Sequence, residues 1–252
     1  MADDREIEQQ TIRRYRELAE RARQSGVYTY TSFHSPAGAA LAYRAAEERE
    51  ITMWGGAESC ERVVIRFGDP QEIAYEEAFP IRILHVEPKQ VKYAETLTHR
   101  DFLGAILNLG IERDVIGDIF VGDSAAYFFV LEEMADYVMN GLDRVKHTAM
   151  KCRLTEEVPA DRLPKLCEET VTVSSPRLDA ILAKVYHLSR GEAKDLFDAE
   201  KVFVNGRLCK NPETVLKEGS SISARGYGKL EYRGEERSTK KGKLGITIWR
   251  YV

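Results

Sequence analysis

Apolar positions near the C-terminal end of the chain repeat first at helical spacing and then in alternation. Leu178, Ile181, Leu182 and Val185 predict a short helix that buries one stripe. Ser175 is placed to cap it, and Pro176 suits a first helical turn, where a missing N–H costs nothing. A second helix is expected from Ser189-Arg190-Gly191-Glu192, a capping-box sequence flanked by Leu188 and Ala193 as a hydrophobic staple. Ala193, Leu196 and Phe197 mark its apolar face. Val202 to Leu208 then reads as a hairpin about Asn205-Gly206, a strong tight-turn signal. The pattern predicts two helices against a small sheet.

The same reading organises the rest of the chain. Residues 4–25 carry a helical stripe of Thr11, Ile12, Tyr15, Leu18, Ala19 and Ala22, with Gly26 as a stop. Interleaved Arg and Glu residues on that segment read as a solvated face. A helix from Ser35-Pro36 to about Glu48 and strands at 51–54 and 62–67 complete a small N-terminal αβ domain, residues 1–69. Gly55-Gly56 is a turn, because no phosphate-loop pattern follows it. Residues 70–158 read as strand (81–86), helix (98–109), strands (116–121 and 125–131), helix (132–142) and strand (145–154). That βαββαβ order is ferredoxin-like and shared by RNA-recognition motifs. Tyr127, Phe128 and Phe129 follow one another on its third strand, so some of them must face a core. Residues 159–175 show no clear periodicity and read as a connector, leaving 176–252 as the C-terminal module with an added hairpin. The fold class expected is therefore α+β.

Composition sharpens this picture in one respect. The formal net charge of −4 is unevenly spread: residues 176–252 hold 16 Lys+Arg against 10 Asp+Glu, and the preceding residues hold 21 against 31. A basic end on an acidic body fits contact with a structured polyanion. No apolar run is long enough to span a membrane, and the polar N-terminus does not resemble a secretory signal, so a cytoplasmic protein is expected. Cys60, Cys152, Cys167 and Cys209 are far apart and the five histidines are scattered, which predicts reduced, mostly buried thiols and no metal site.

The candidate chemistry is cationic. At 100° per residue, Arg190, Lys194 and Lys201 fall within a ~40° sector of a helix that extends to 201. Arg207 and Lys210 follow the hairpin turn, while Arg177 and Arg225 bracket the module. Ser189 and Asn205 could add polar contacts. The run R-L-D-x-x-L, S-R-x-x-A, V-x-V-N-G and a closing R-G resembles the S4 RNA-binding domain, with Glu200-Lys201 where a glycine is usual. Lys240, Lys241 and Lys243 in the terminal hairpin are further candidates for phosphate contact.

A second resemblance covers nearly the whole chain. Leu97 to Ala105, Leu109 to Arg113, Ile116 to Ile119, Gly55-Gly56-Ala57-Glu58 and Glu61-Arg62 are similar to the YlmH family of bacterial proteins with a C-terminal S4 domain. His99 and Arg100 within that stretch are open as ligand residues. The resemblance implies a monomeric protein that binds large-subunit rRNA, with peptidyl-tRNA as a second ligand, in ribosome-associated quality control. It implies no cofactor. Enzyme readings fare worse: synthetase motifs, a methyltransferase glycine turn and a convergent catalytic constellation are not found, and Arg177-Leu178-Asp179 sits outside a pseudouridine-synthase context. The alternative is a protein-binding adaptor linked to cell division or photosystem assembly, with RNA contact secondary.

Overall fold

The computed structural model of the protein describes residues 2–238 and 243–251, with side-chain detail for 5–234 and 243–251. It divides into two units, Met1–Ser35 with Ala42–Leu163, and Pro36–Leu41 with Pro164–Val252.

The first unit opens with α1 (Ala2–Ser25), whose predicted stripe is buried at Ile12, Tyr15, Leu18, Ala19 and Ala22. Its charged residues pair with one another, as in Arg13–Glu17 and Arg23–Glu20. Three strands follow as a small antiparallel sheet: β1 (Thr29–His34), β2 (Ile51–Trp54) and β3 (Val63–Phe67), ordered β1-β3-β2. No element was predicted at β1. The helix expected from Ser35 to Glu48 also breaks: α2 spans only Pro36–Ala40, a segment of the second unit, and 3-10 turns at Leu41–Arg44 and Glu48–Glu50 replace the rest. The second of these turns is tied to α1. The buried Glu50 carboxylate accepts from the Glu47 N–H (2.9 Å) and from the Arg23 guanidinium of α1 (2.6 and 3.1 Å).

The unit continues with β4 (Ile81–Pro88), α3 (His99–Leu107), β5 (Ile116–Gly122), β6 (Ala125–Leu131), α4 (Glu132–Gly141), β7 (Arg144–Val145) and β8 (Thr148–Thr155). The antiparallel order β5-β6-β4-β8-β7 is that of a ferredoxin-like sheet with a short extra strand. The predicted closing strand is split into β7 and β8 by a turn at Lys146, where φ is +50°. Asp123 and Ser124, both at positive φ, form the β5–β6 turn. Thr98 and Asp101 make the capping box of α3, and Lys146 followed by the Thr98 hydrogen bonds holds the Asp101 carboxyl down at about 2.

The two faces of this sheet have different coverings. Leu84, Val86, Phe128 and Val130 pack with Phe102, Ile106 and Val138 of the helices. Phe129 and Leu131 instead join Phe33, Cys60 and Val64 from the N-terminal segment. Hence the expected boundary near Asp69 does not separate two cores. Gly56, at φ +103°, lies flush against Phe129: an added Cβ would meet the ring at 2.1 Å.

The second unit holds β9 (Leu166–Val173), α5 (Leu178–Val185), α6 (Arg190–Asp198), β10 (Val202–Val204), β11 (Arg207–Leu208), β12 (Ser221–Ala224), β13 (Gly228–Ser238) and β14 (Leu244–Tyr251). These strands order as β11-β10-β12-β13-β14-β9. The stretch read as a connector therefore contains a full strand, since β9 pairs with β14 from Leu166↔Tyr251 to Val173↔Leu244. Val171 and Val173 enter the core with Leu178, Ile181, Leu182, Val185, Leu196 and Phe197. Ser175 and Pro176 do not start α5, whose N-cap is Arg177. Its first N–H groups are taken by a loop: Leu178 donates to the Thr214 carbonyl (2.9 Å) and Asp179 to that of Pro212 (3.0 Å). Cys60 is buried, but Cys152 and Cys209 are half-buried and Cys167 is exposed, so the thiols are less buried than expected; none of the four forms a disulfide.

Candidate nucleic-acid interface

Ser189 caps α6: its hydroxyl accepts from the Glu192 N–H (3.2 Å) while the Glu192 carboxylate accepts from the Ser189 N–H (2.8 Å). The Ser189 N–H, and then its side chain, hold the Glu192 carboxyl below its ordinary range. Arg190 and Lys194 sit one turn apart on this helix, both exposed and neither in an ion pair among the described residues. A cation in the first turn opposes the helix macrodipole, so Arg190 gains nothing there from helix electrostatics.

Helix α6 ends at Asp198, and Lys201 is therefore not on its face. The Glu200 N–H donates to the Phe197 carbonyl (3.0 Å) and the Lys201 N–H to that of Leu196 (2.9 Å), the two bonds of a Schellman close. Glu200 takes the left-handed position at φ +54°, where a glycine would be unstrained. Its carboxylate also pairs with Lys210. Lys201 instead joins Arg225: the Arg225 N–H donates to the Lys201 carbonyl (2.9 Å), and both side chains are exposed without an ion pair among the described residues.

The remaining candidates differ. Arg177 is engaged by Asp179 (2.7 Å) and Glu213 (2.7 Å), the hydrogen bond to Asp179 being the main cause of its raised pKa. Asn205, at φ +51°, builds the hairpin and accepts from the Ser221 N–H through its side chain (2.8 Å). Arg207 is exposed on β11. Lys243 is exposed, whereas Lys240 and Lys241 lie outside the described residues. One neighbouring feature had only a faint sequence signal, an aromatic between two glycines. Tyr227, 43% exposed, leans on Tyr186 with ring centroids 5.2 Å apart.

In the first unit, His99 and Arg100 are exposed in the opening turn of α3. Partial burial, reinforced by Arg113, lowers the His99 pKa. Arginines nearby are committed to the backbone. Arg62 donates to the carbonyls of Phe33 (2.8 Å), Ile116 (3.0 Å) and Arg113 (3.2 Å), while Arg113 donates to Gly117 (3.2 Å) and Ile116. Burial first, then the Arg113 charge, lowers the Arg62 pKa to about 10. Of the three consecutive aromatics, Phe128 and Phe129 are fully buried on opposite faces. Tyr127 stacks on His85 at 4.2 Å, and Arg153 donates to His85 Nδ1 (3.1 Å). Burial keeps the His85 pKa low, which suits an imidazole that accepts that bond while neutral. Among the described residues no group of His, Cys, Asp and Glu is arranged to hold a metal, and no helix is long and apolar enough to cross a membrane.

Similarity to known proteins agrees with this division. Residues 176–222 match the S4 domain. Residues 74–158 match the family described as "Putative RNA-binding domain in YlmH". The "Ribosome-associated protein quality control protein P2" of Bacillus subtilis (strain 168) is 32% identical over 167 residues, which are 64% of this chain and 64% of that protein, somewhat under two thirds of its length. An "Uncharacterized RNA pseudouridine synthase" of Aquifex aeolicus (strain VF5) is 42% identical over 50 residues, 20% of this chain and 21% of that one. A solved structure of the "Cell division protein ylmH from Streptococcus pneumoniae" is 18% identical, covers 59% of this chain and 91% of its own, and has a TM-score of 0.49. Residues 74–158 thus match the RNA-binding domain described for YlmH, and an S4 domain follows it in the chain.

Proposed function

We propose that this chain is a non-enzymatic RNA-binding protein of the cytoplasm that grips structured rRNA on the large ribosomal subunit, next to peptidyl-tRNA, in ribosome-associated quality control. The observation that carries the reading is the exposed pair Arg190 and Lys194 in the opening turns of α6, cations that no carboxylate neutralises among the described residues. Lys201, Arg225 and Arg207 extend the set of phosphate contacts, while Arg177 and Lys210 contribute less because acidic neighbours already hold them. Ser189 and Asn205 act mainly by fixing the helix start and the hairpin that present these cations. Such contacts read the shape and backbone of folded RNA. The name of the Bacillus subtilis relative supports the ribosomal setting.

The test is sedimentation of the purified chain with ribosomes, separated subunits and large subunits carrying peptidyl-tRNA, over a salt series. The reading expects preference for the tRNA-bearing large subunit, weakening as salt rises. Replacing both Arg190 and Lys194 with Glu should abolish that cosedimentation without lowering the melting temperature. Unchanged sedimentation of the double variant would sink the assignment.

A further inference from the structure

The turn between β12 and β13 presents an aromatic side chain that the fold does not account for. Tyr227 stands between Gly226 at φ +87° and Gly228 at φ +107°, and its N–H donates to the Ala224 carbonyl (2.8 Å). A Cβ added at either glycine would meet nothing within 4 Å, so the backbone on both sides of the tyrosine is open, and the side chain itself is 43% exposed. Tyr186 supports the ring from behind at 5.2 Å and 47°, and is itself fixed by its hydroxyl, which donates to the Gly228 carbonyl (3.3 Å). The Tyr227 hydroxyl makes no hydrogen bond among the described residues. Two residues away lies Arg225, bonded through its N–H to the Lys201 carbonyl, and both of these cations lack an acidic partner among the described residues. Tyr227 also lies beyond the residues matched to the S4 domain.

We propose that Tyr227 is a stacking platform for one unpaired RNA base, with Lys201 and Arg225 holding the adjoining phosphates. The inference rests on the RNA-binding reading above and adds the kind of nucleotide recognised. A base inside a duplex has both faces covered by its neighbours, whereas a bulged or single-stranded base offers a free π-face to an aromatic ring. A tyrosine braced from behind loses little side-chain freedom when that base arrives. Cations beside it neutralise the flanking backbone without reading sequence, so the pair selects an unpaired nucleotide of any identity.

The experiment uses the full chain and two probes, a hairpin RNA carrying a single bulged 2-aminopurine and the same hairpin fully paired. The wild-type chain should bind the bulged hairpin about tenfold more tightly and quench its fluorescence, the size of effect expected for one base–aromatic stack. Tyr227→Ala should remove that preference and the quench while leaving affinity for the paired hairpin and the melting temperature unchanged. Tyr227→Phe should keep both. Replacing Lys201 and Arg225 with Ala should weaken both probes and flatten the salt dependence by about two phosphate contacts. Equal wild-type affinity for the two hairpins, or an equal loss on both in Tyr227→Ala, would overturn the stacking role and leave RNA binding standing. Failure of the wild-type chain to bind either hairpin would overturn both readings.

Discussion

Arg62 and Arg113 in the first unit and Arg190 and Lys194 in the second are all cations, yet their environments are opposite. Arg62 is drawn inward, donating to three backbone carbonyls at 2.8–3.2 Å, and burial lowers its pKa. Arg190 and Lys194 stand exposed on α6 without a partner among the described residues. The aromatics divide in the same way. Phe129 lies fully buried beneath the Gly56 turn, whereas Tyr227 rests on Tyr186 with its outer side exposed. Residue type alone does not make a nucleic-acid contact. A guanidinium that satisfies buried carbonyls stabilises the fold, and one left unpaired at the surface remains available to phosphate.

This contrast can be broken from either side. The largest effect is expected at Gly56→Ala, because the new Cβ would both strain a backbone at φ +103° and strike the Phe129 ring. Urea unfolding of that variant should show a loss of about 3 kcal/mol. RNA affinity of the still-folded fraction should stay at the wild-type level. The converse variant, Arg190→Glu with Lys194→Glu, should weaken RNA binding on the order of 30-fold, from two contacts of about 1 kcal/mol each. Its unfolding midpoint should hold or rise slightly, since acidic residues suit a helix N-terminus. A third variant tests how the helix is presented: Ser189→Ala removes the α6 cap and should cost about 1 kcal/mol in thermal unfolding. The smallest change sharpens the comparison most. Glu200→Gly relieves a left-handed residue and should add about 0.5 kcal/mol of stability. It also releases Lys210, so the salt slope of RNA binding should steepen by about one phosphate.

Much of the architecture was legible from periodicity. The stripe of α1, the βαββαβ order and the capping box at Ser189 all arise from short-range patterns, and each forms as read. The misreadings share a cause. Leu166–Val173 became a strand because it pairs with Leu244–Tyr251, far away in sequence. The helix expected after Ser35 gives way at Ala40, and the Glu48–Glu50 turn beyond it is tied to Arg23 of α1 through Glu50. Helix α5 began at Leu178 because the loop at Pro212–Thr214 takes its first N–H groups. None of these partners lies within the window that a local pattern can sample.

The candidate site follows the same division. Sequence alone determined that Ser189 and Asn205-Gly206 would set the helix start and hairpin of this region, because capping and turn chemistry act over three or four residues. Only the tertiary structure decided which cations stay unpaired. Arg177 meets Glu213, Lys210 meets Glu200, and Lys201 joins Arg225 across the β10–β12 pair. Ion pairing depends on distance in space, and chain folding sets that distance.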